Sequence, residues 1–288
     1  MAEWARVTRH EPCAVCGKPD YCTRTTDGTA VRCMRVESDK PSPDRNGGSA
    51  WLHVLSNPLP PLPPPKPVER KEDWTRECRA MFNHERAHQK RCEVADNLSV
   101  SVSSLEDLRV GIGWDEWNNA EFSSWPSRDE TGRVIGYVRR YNDGSKRTNQ
   151  GGSTGVFYTS NWNSHPGPLF IVEGGSDVAA CESACLSAIG RSSNTHGGEF
   201  IKKMIEAAQC KKRIIVIGER DEVVSKRGTI SSCQKDCSGC AFCFPGMFGA
   251  KKVAAELATS WVFPPKPYKD IRELLTSGNA WLDLLCTL

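Results

Sequence analysis

The chain has 288 residues, 38% hydrophobic and 25% charged, with a formal net charge of +3. That length predicts one to three domains with a real core in part of the chain, and a charge so near neutral leaves any polyanion binding to local basic patches. No apolar run is long enough to span a membrane and the start, Met1-Ala-Glu-Trp-Ala-Arg6, has no apolar signal core, so the cytoplasm is the expected compartment and no membrane partner is expected.

Residues 1–56 read as a small, turn-rich unit. Cys13-x₂-Cys16, with Gly17 allowing a tight turn, followed by Cys22, the hairpin turn Asp27-Gly28 and Cys33, has the spacing of a zinc site. So short a segment has too little core to fold without such a staple. His10 competes with Cys22 for the fourth ligand position. Residues 57–71 follow as a proline-rich linker; seven prolines fall between Asn57 and Pro67, which favours a stiff polyproline spacer.

A third segment, 72–160, is expected to be helical and then β-rich. Residues 72–95 predict one helix, with Trp74, Cys78, Met81 and Phe82 on one side. Ser103-Ser-Leu-Glu106 resembles a capping box opening a second helix that ends near Gly111. From 121 to 158, apolar and polar residues alternate between the turns Glu130-Thr-Gly132 and Asn142-Asp-Gly144. Residues 133–151 hold Arg133, Arg139, Arg140, Lys146 and Arg147 against one acid, Asp143. Such a patch suits phosphates; a solvated, charged edge strand gives the same pattern.

From Pro168 the pattern becomes strand, helix, strand, helix. Strands are expected at 169–173, 186–190, 213–218 and 260–263, and helices at 176–184, 198–209 and 249–258. This alternation predicts a mostly parallel sheet with helices on both faces. Residues 222–248 interrupt it as a cysteine-rich insertion. Its Cys233-x₃-Cys237-x₂-Cys240-x₂-Cys243 reads as a second zinc site, with an iron–sulfur ligand run as the alternative. The other cysteines (Cys78, Cys92, Cys181, Cys185, Cys210, Cys286) read as small buried hydrophobes.

Two runs carry the chemistry: Leu169-Phe-Ile-Val-Glu173-Gly-Gly-Ser-Asp177 and Arg213-Ile-Ile-Val-Ile-Gly-Glu219-Arg-Asp221. Each is a buried strand that ends in carboxylates. Residues i and i+2 share a side of a strand, so Glu219 and Asp221 can face Glu173 and share a divalent cation. Asp177 in a first helical turn is favourable by itself. Arg191, after the second strand, is placed to line the same cleft with the turn Ser192-Ser193-Asn194. Lys251 and Lys252 read as solvated helix residues.

Here the chain resembles the TOPRIM family, the catalytic module of bacterial-type primases, topoisomerases and some nucleases. Glu173 with Gly174 and Asp177 matches its first motif. Glu219 and Asp221 match its Asp-x-Asp motif, with glutamate in the first position. Gly249-Ala-Lys-Lys-Val-Ala-Ala255 resembles the helix that follows, displaced by the insertion, and Lys269-Asp270-Ile-Arg-Glu-Leu-Leu275 resembles the Lys-Asp element closing many primase versions. Upstream, Gly136-Tyr-Val-Arg-Arg140 through Lys146-Arg147, then Gly151-Gly152 and Gly155-Val-Phe-Tyr158, is similar to the small subdomain preceding the module in primases. The zinc unit fits their template reader, and no helicase module is expected to follow. The resemblance implies an α/β TOPRIM domain over 161–288. It implies Mg²⁺ or Mn²⁺ on Glu219 and Asp221, with Glu173 completing the site or acting as base, and Arg139, Arg140, Lys146, Arg147 and Arg191 binding DNA or nucleotide. Single-stranded DNA, ribonucleotides and a replicative helicase are the implied partners, and primer synthesis the implied activity. A TOPRIM nuclease and an inactive DNA-binding accessory protein fit the same motifs.

Overall fold

The computed structural model describes residues 3–42, 50–61, 73–193, 196–220 and 244–278. The described residues divide into two compact units, the first holding 3–42 and 50–61 and the second 73–193, 196–220 and 244–278. The expected cysteine-rich insertion 222–248 lies outside the described residues up to Cys243.

The first unit is an antiparallel meander of β1 (Trp4–Arg6), β2 (Thr23–Thr25), β3 (Ala30–Cys33) and β4 (Trp51–Val54). Its small core is Val7, Val31, Cys13, Cys22 and Cys33. The proline-rich stretch begins as part of this unit. The Leu59 N–H donates to the Gly28 carbonyl at 3.0 Å, and Arg24 reaches the Pro60 carbonyl. Gly28, at φ +75°, lies so close to Leu59 that no side chain would fit.

The second unit opens with α1 (Thr75–Phe82), α2 (Ala87–Leu98) and α3 (Val102–Asp107). The single helix expected over 72–95 is two. Trp74, Cys78 and Met81 pack on Phe122 and Tyr137, whereas Val94, Ala95 and Leu98 belong to a different core. One straight helix cannot serve both, and the chain turns between them. The cap of α3 is Ser101, not Ser103: its Oγ accepts the Ser104 N–H at 3.1 Å. Strand β5 (Gly111–Asp115) was not expected; it forms a hairpin with β6 (Ala120–Arg128). Then come β7 (Val134–Tyr141), β8 (Lys146–Thr148), β9 (Val156–Phe157) and β10 (Leu169–Glu173), followed by α4 (Gly175–Ser183), β11 (Ser187–Arg191), α5 (Gly198–Ala207), β12 (Ile214–Ile217), α6 (Pro245–Glu256), β13 (Ser260–Val262) and α7 (Ile271–Thr276).

Among the described residues these strands form one mixed sheet, ordered β13-β12-β10-β11-β9-β6-β7-β8, with β5 on β6. The four strands from β13 to β11 are parallel and the remainder antiparallel. Two-residue β9 joins the halves: Val156 pairs with both Arg191 and Arg128. The central run Leu169–Val172 is buried on both faces, as parallel strands are. Phe170 and Val172 meet α3, α4 and α7; Leu169 and Ile171 meet α5 and α6. The expected α/β class with helices on both faces, a β-rich piece before it and a small cysteine unit in front is what the chain forms.

Of the scattered cysteines, Cys78 and Cys181 are buried as expected. Cys92 and Cys210 are half-buried and Cys185 is exposed, because it occupies a left-handed turn position after α4. Among the described residues no helix is long and apolar enough to cross a membrane.

Phe170, fully buried on the central strand, tests this core. Phe170→Ala is expected to lower unfolding free energy by about 3–5 kcal/mol in chemical denaturation. A loss near zero would show that the two layers do not close on β10.

Candidate metal centres and acidic cleft

In the first unit the four thiols of Cys13, Cys16, Cys22 and Cys33 lie within 4.8 Å of one another. The Cys16–Cys22 and Cys22–Cys33 sulfur separations are 3.7 and 3.9 Å. The edges of a tetrahedron with sulfur about 2.3 Å from a central zinc are about 3.8 Å, so the donor set and its spacing fit that ion. Backbone N–H groups of Cys16, Met34 and Val36 point at the sulfurs of Cys13, Cys22 and Cys33 at 3.3–3.5 Å. Arg35, paired with Asp20 at 2.6 Å, reaches Cys16 and Cys22 at 3.9 and 3.8 Å. Both features stabilise thiolate charge. Burial, with the neighbouring thiols of Cys13 and Cys16, pushes the Cys22 thiol up to about 12, which a metal would reverse. His10 is exposed and outside the cluster, so the fourth position falls to Cys22. The second group, Cys233, Cys237, Cys240 and Cys243, lies outside the described residues.

In the second unit a cavity of about 360 Å³ opens where β10 and β12 end. Glu173 is the last residue of β10. Gly174, at φ +87°, then turns the chain into α4, a conformation glycine adopts freely. β12 runs parallel to β10, with Ile171 opposite Val216. Glu219, two residues past the end of β12, therefore comes level with Glu173, and both line the cavity. Asp221 lies outside the described residues.

Arg191 underlies this arrangement. It ends β11 directly opposite Glu173 and is fully buried. Its Nε donates to the Val172 carbonyl at 3.4 Å and its Nη2 to the Ile217 carbonyl at 3.3 Å. Nη2 is also 3.8 Å from Glu173 Oε2. Burial lowers its guanidinium pKa, and Glu173, Glu219 and Asp177 oppose that shift. Arg191 is thus a buried counter-charge behind the acids, while Ser192 and Ser193 line the cavity.

Sequence reasoning underrated two acids. Asp177 is buried in the first turn of α4. Burial, then Asp270 and Glu219, drives its carboxyl well above the usual range, while Lys146 and Arg272 oppose. Asp270 is the buried N-cap of α7: its Oδ1 accepts the Glu273 N–H at 2.8 Å and its Oδ2 is 3.3 Å from Arg272. The signal for it was the Lys269-Asp270 element itself. Lys269 Nζ lies 3.5 Å from Glu219 Oε2. Arg220 donates from its backbone N–H to the Lys269 carbonyl and from Nε to the Pro264 carbonyl, both at 2.8 Å. These bonds tie the end of β12 to the start of α7.

The basic residues divide by strand alternation. Val138 and Arg140 face the cavity. Arg139 faces the other way, 3.4 Å from Asp115 and over the rings of Phe122 and Tyr137. Lys146 and Arg147, on exposed β8, line the cavity opposite the acids. On α6, Lys251 lies over the Trp261 ring and Lys252 pairs with Glu256 at 3.8 Å, away from the cavity residues. A cleft with carboxylates on one wall and three cations on the other is suited to a divalent cation bridging to phosphate. The mutual repulsion of Asp177, Asp270 and Glu219 is the kind of charge excess such a cation relieves.

Cys22→Ser is expected to remove the zinc of this unit, read as a loss of one equivalent on metal analysis, and His10→Ala to leave the zinc content unchanged; the reverse result would exchange their roles. Asp177 gives a pH test. Below about pH 4, near the ordinary aspartate value, its carboxyl is neutral whether the chain is folded or not. As pH rises the unfolded chain ionises first, so the wild type loses stability. Asp177→Asn is therefore expected to match the wild type at low pH and to melt higher at pH 8 without divalent cations, by about 2–4 °C for each kcal/mol relieved. An Asn variant that melts lower at pH 8 would contradict the burial argument.

No protein-family model matches the chain, and no curated protein does. Among solved structures it is similar to the primase fragment of the bacteriophage T7 primase-helicase protein, at 15% identity and a TM-score of 0.46, over 99% of this chain and 100% of that one. It is also similar to a DnaG primase catalytic domain bound to single-stranded DNA, at 15% identity and a TM-score of 0.47, over 72% and 73% of the two chains. A third is the Aquifex aeolicus primase comprising zinc-binding and RNA polymerase domains, at 12% identity and a TM-score of 0.48, over 73% and 58%.

Proposed function

We propose that this chain is a primase-like nucleotidyltransferase of the TOPRIM type, which makes short RNA primers on single-stranded DNA. The observation that carries the reading is the meeting of Glu173 and Glu219, from the ends of neighbouring parallel strands, in one cavity with Arg140, Lys146 and Arg147. The order of parts supports it: a zinc unit at 1–56, a linker at 57–71, a basic subdomain at 72–160 and the TOPRIM domain at 161–288.

In this reading Glu219 and Asp221 would hold Mg²⁺ or Mn²⁺, with Asp177 and Asp270 close to Glu219. The cation would neutralise charge on the phosphoryl oxygens and leaving group. Glu173 orients or deprotonates the attacking hydroxyl of the growing strand. Arg140, Lys146 and Arg147 hold the triphosphate and template phosphates. Arg191 sets a buried positive charge beside Glu173 and fixes its position. Arg139, on the far face, braces β7 against the β5–β6 hairpin through Asp115. The Cys13–Cys33 unit presents template, and a replicative helicase is a partner of the assembly. A second zinc in the insertion belongs to the same proposal.

Glu173→Gln and Glu219→Gln are each expected to reduce incorporation of labelled ribonucleotides on a single-stranded template by at least about 100-fold. Binding of that template should change less than about twofold, because phosphate contacts dominate nucleic-acid affinity. Unchanged synthesis in both variants would retire the assignment. DNA cleavage without nucleotides would point instead to a TOPRIM nuclease.

A further inference from the structure

A second basic cleft, of about 340 Å³, lies between α1 and strands β6 and β7. Thr75, Arg79, Phe82, Arg109, Arg128 and Val134 line it, and among the described residues no carboxylate does. It is on the opposite side of the sheet from the acidic cavity. Phe122, Tyr137 and Tyr141 point toward α1, whereas Trp125 and Phe157 point toward the cavity.

Its charge is only weakly compensated. Among the described residues no lining residue is acidic; the exposed Asp107 acts on Arg109 from outside the cleft, and the Arg128 guanidinium lies over the Tyr158 ring at 5.6 Å. Arg128 is partly buried, and its Nη1 is fully buried with no hydrogen-bond acceptor. Burial lowers its guanidinium pKa, and Arg109 adds like-charge repulsion. Unpaired buried cations are costly, and proteins ordinarily supply them with an anion. Arg109 sits just past α3 at φ +61°, where glycine or asparagine is the easier choice. Its guanidinium is held over the Phe82 ring at 5.0 Å, which fixes the fork at the rim. Thr75 adds a hydroxyl, and Phe82 and Val134 an apolar wall.

We propose that this cleft binds a phosphate group, carried by a free nucleotide or by a nucleic-acid backbone, at a site separate from the acidic cavity. Guanidinium forks match phosphate oxygens two at a time, and the volume lies at the small end of ligand pockets.

The test uses the full chain in EDTA, so that cation-dependent binding at the acids is silent. Inorganic phosphate, ATP and a single-stranded 12-mer are titrated calorimetrically into the wild type and into Arg79→Gln/Arg109→Gln, whose altered side chains are exposed. A loss of at least about tenfold in affinity for inorganic phosphate is expected. A matching loss for ATP alone identifies a nucleotide site, and a loss for the 12-mer alone a backbone site. Phosphate should also shield Arg79 and Arg109 from phenylglyoxal, read by peptide mass. Equal affinities of variant and wild type for all three probes, or no shielding, would overturn the proposal.

Discussion

Everything in the second unit's cleft depends on Arg191. Carboxylates gathered at neighbouring strand ends repel one another, and a fold that crowds them must supply positive charge behind them. Arg191 does so from within the sheet, bonded to the carbonyls of Val172 and Ile217 and close to Glu173. Its position follows from register, because Arg191 is the pairing partner of Glu173. A slip of one residue would turn its side chain to the other face. Hydrophobic burial of β10, β11 and β12 on both faces holds the register, so packing sets the electrostatics.

The same alternation distributes the arginines. Arg139 and Arg140 are adjacent in sequence and do opposite things. One braces Asp115 and the aromatic cluster under α1; the other enters the cavity. The basic half of the sheet reaches the acidic half through the two residues of β9, which hydrogen-bond to both. The sheet is thus continuous where the chemistry requires two surfaces at a fixed distance.

Much of this was legible in the sequence. Apolar runs of four or five residues ending in carboxylates placed β10 and β12 almost to the residue, and cysteine spacing placed the four-thiol cluster. What was hidden had physical causes. The break between α1 and α2 reflects which core each helix serves, and that is a tertiary matter. Ser101 and Ser103 are equivalent as local caps until the backbone chooses. β5 is short and rich in glycine, and it exists because β6 pairs with it. Asp177 looked like an ordinary first-turn acid, since the charged neighbours that act on it, Asp270, Glu219, Lys146 and Arg272, are distant in sequence. Asp270 was visible in its motif, but its nearness to Asp177 was not.

The stem of the long segment between β12 and α6 has its own significance. Gly246 packs so closely on the Glu219 carbonyl that a β-carbon would collide with it. The chain therefore departs and returns at nearly the same point. Closing a loop costs only about 0.6 kcal/mol more for each doubling of its length. With its two ends already pinned together, the domain can carry a segment of almost any size there, so this doorway is where new binding surface can be added beside the acids without rebuilding the sheet.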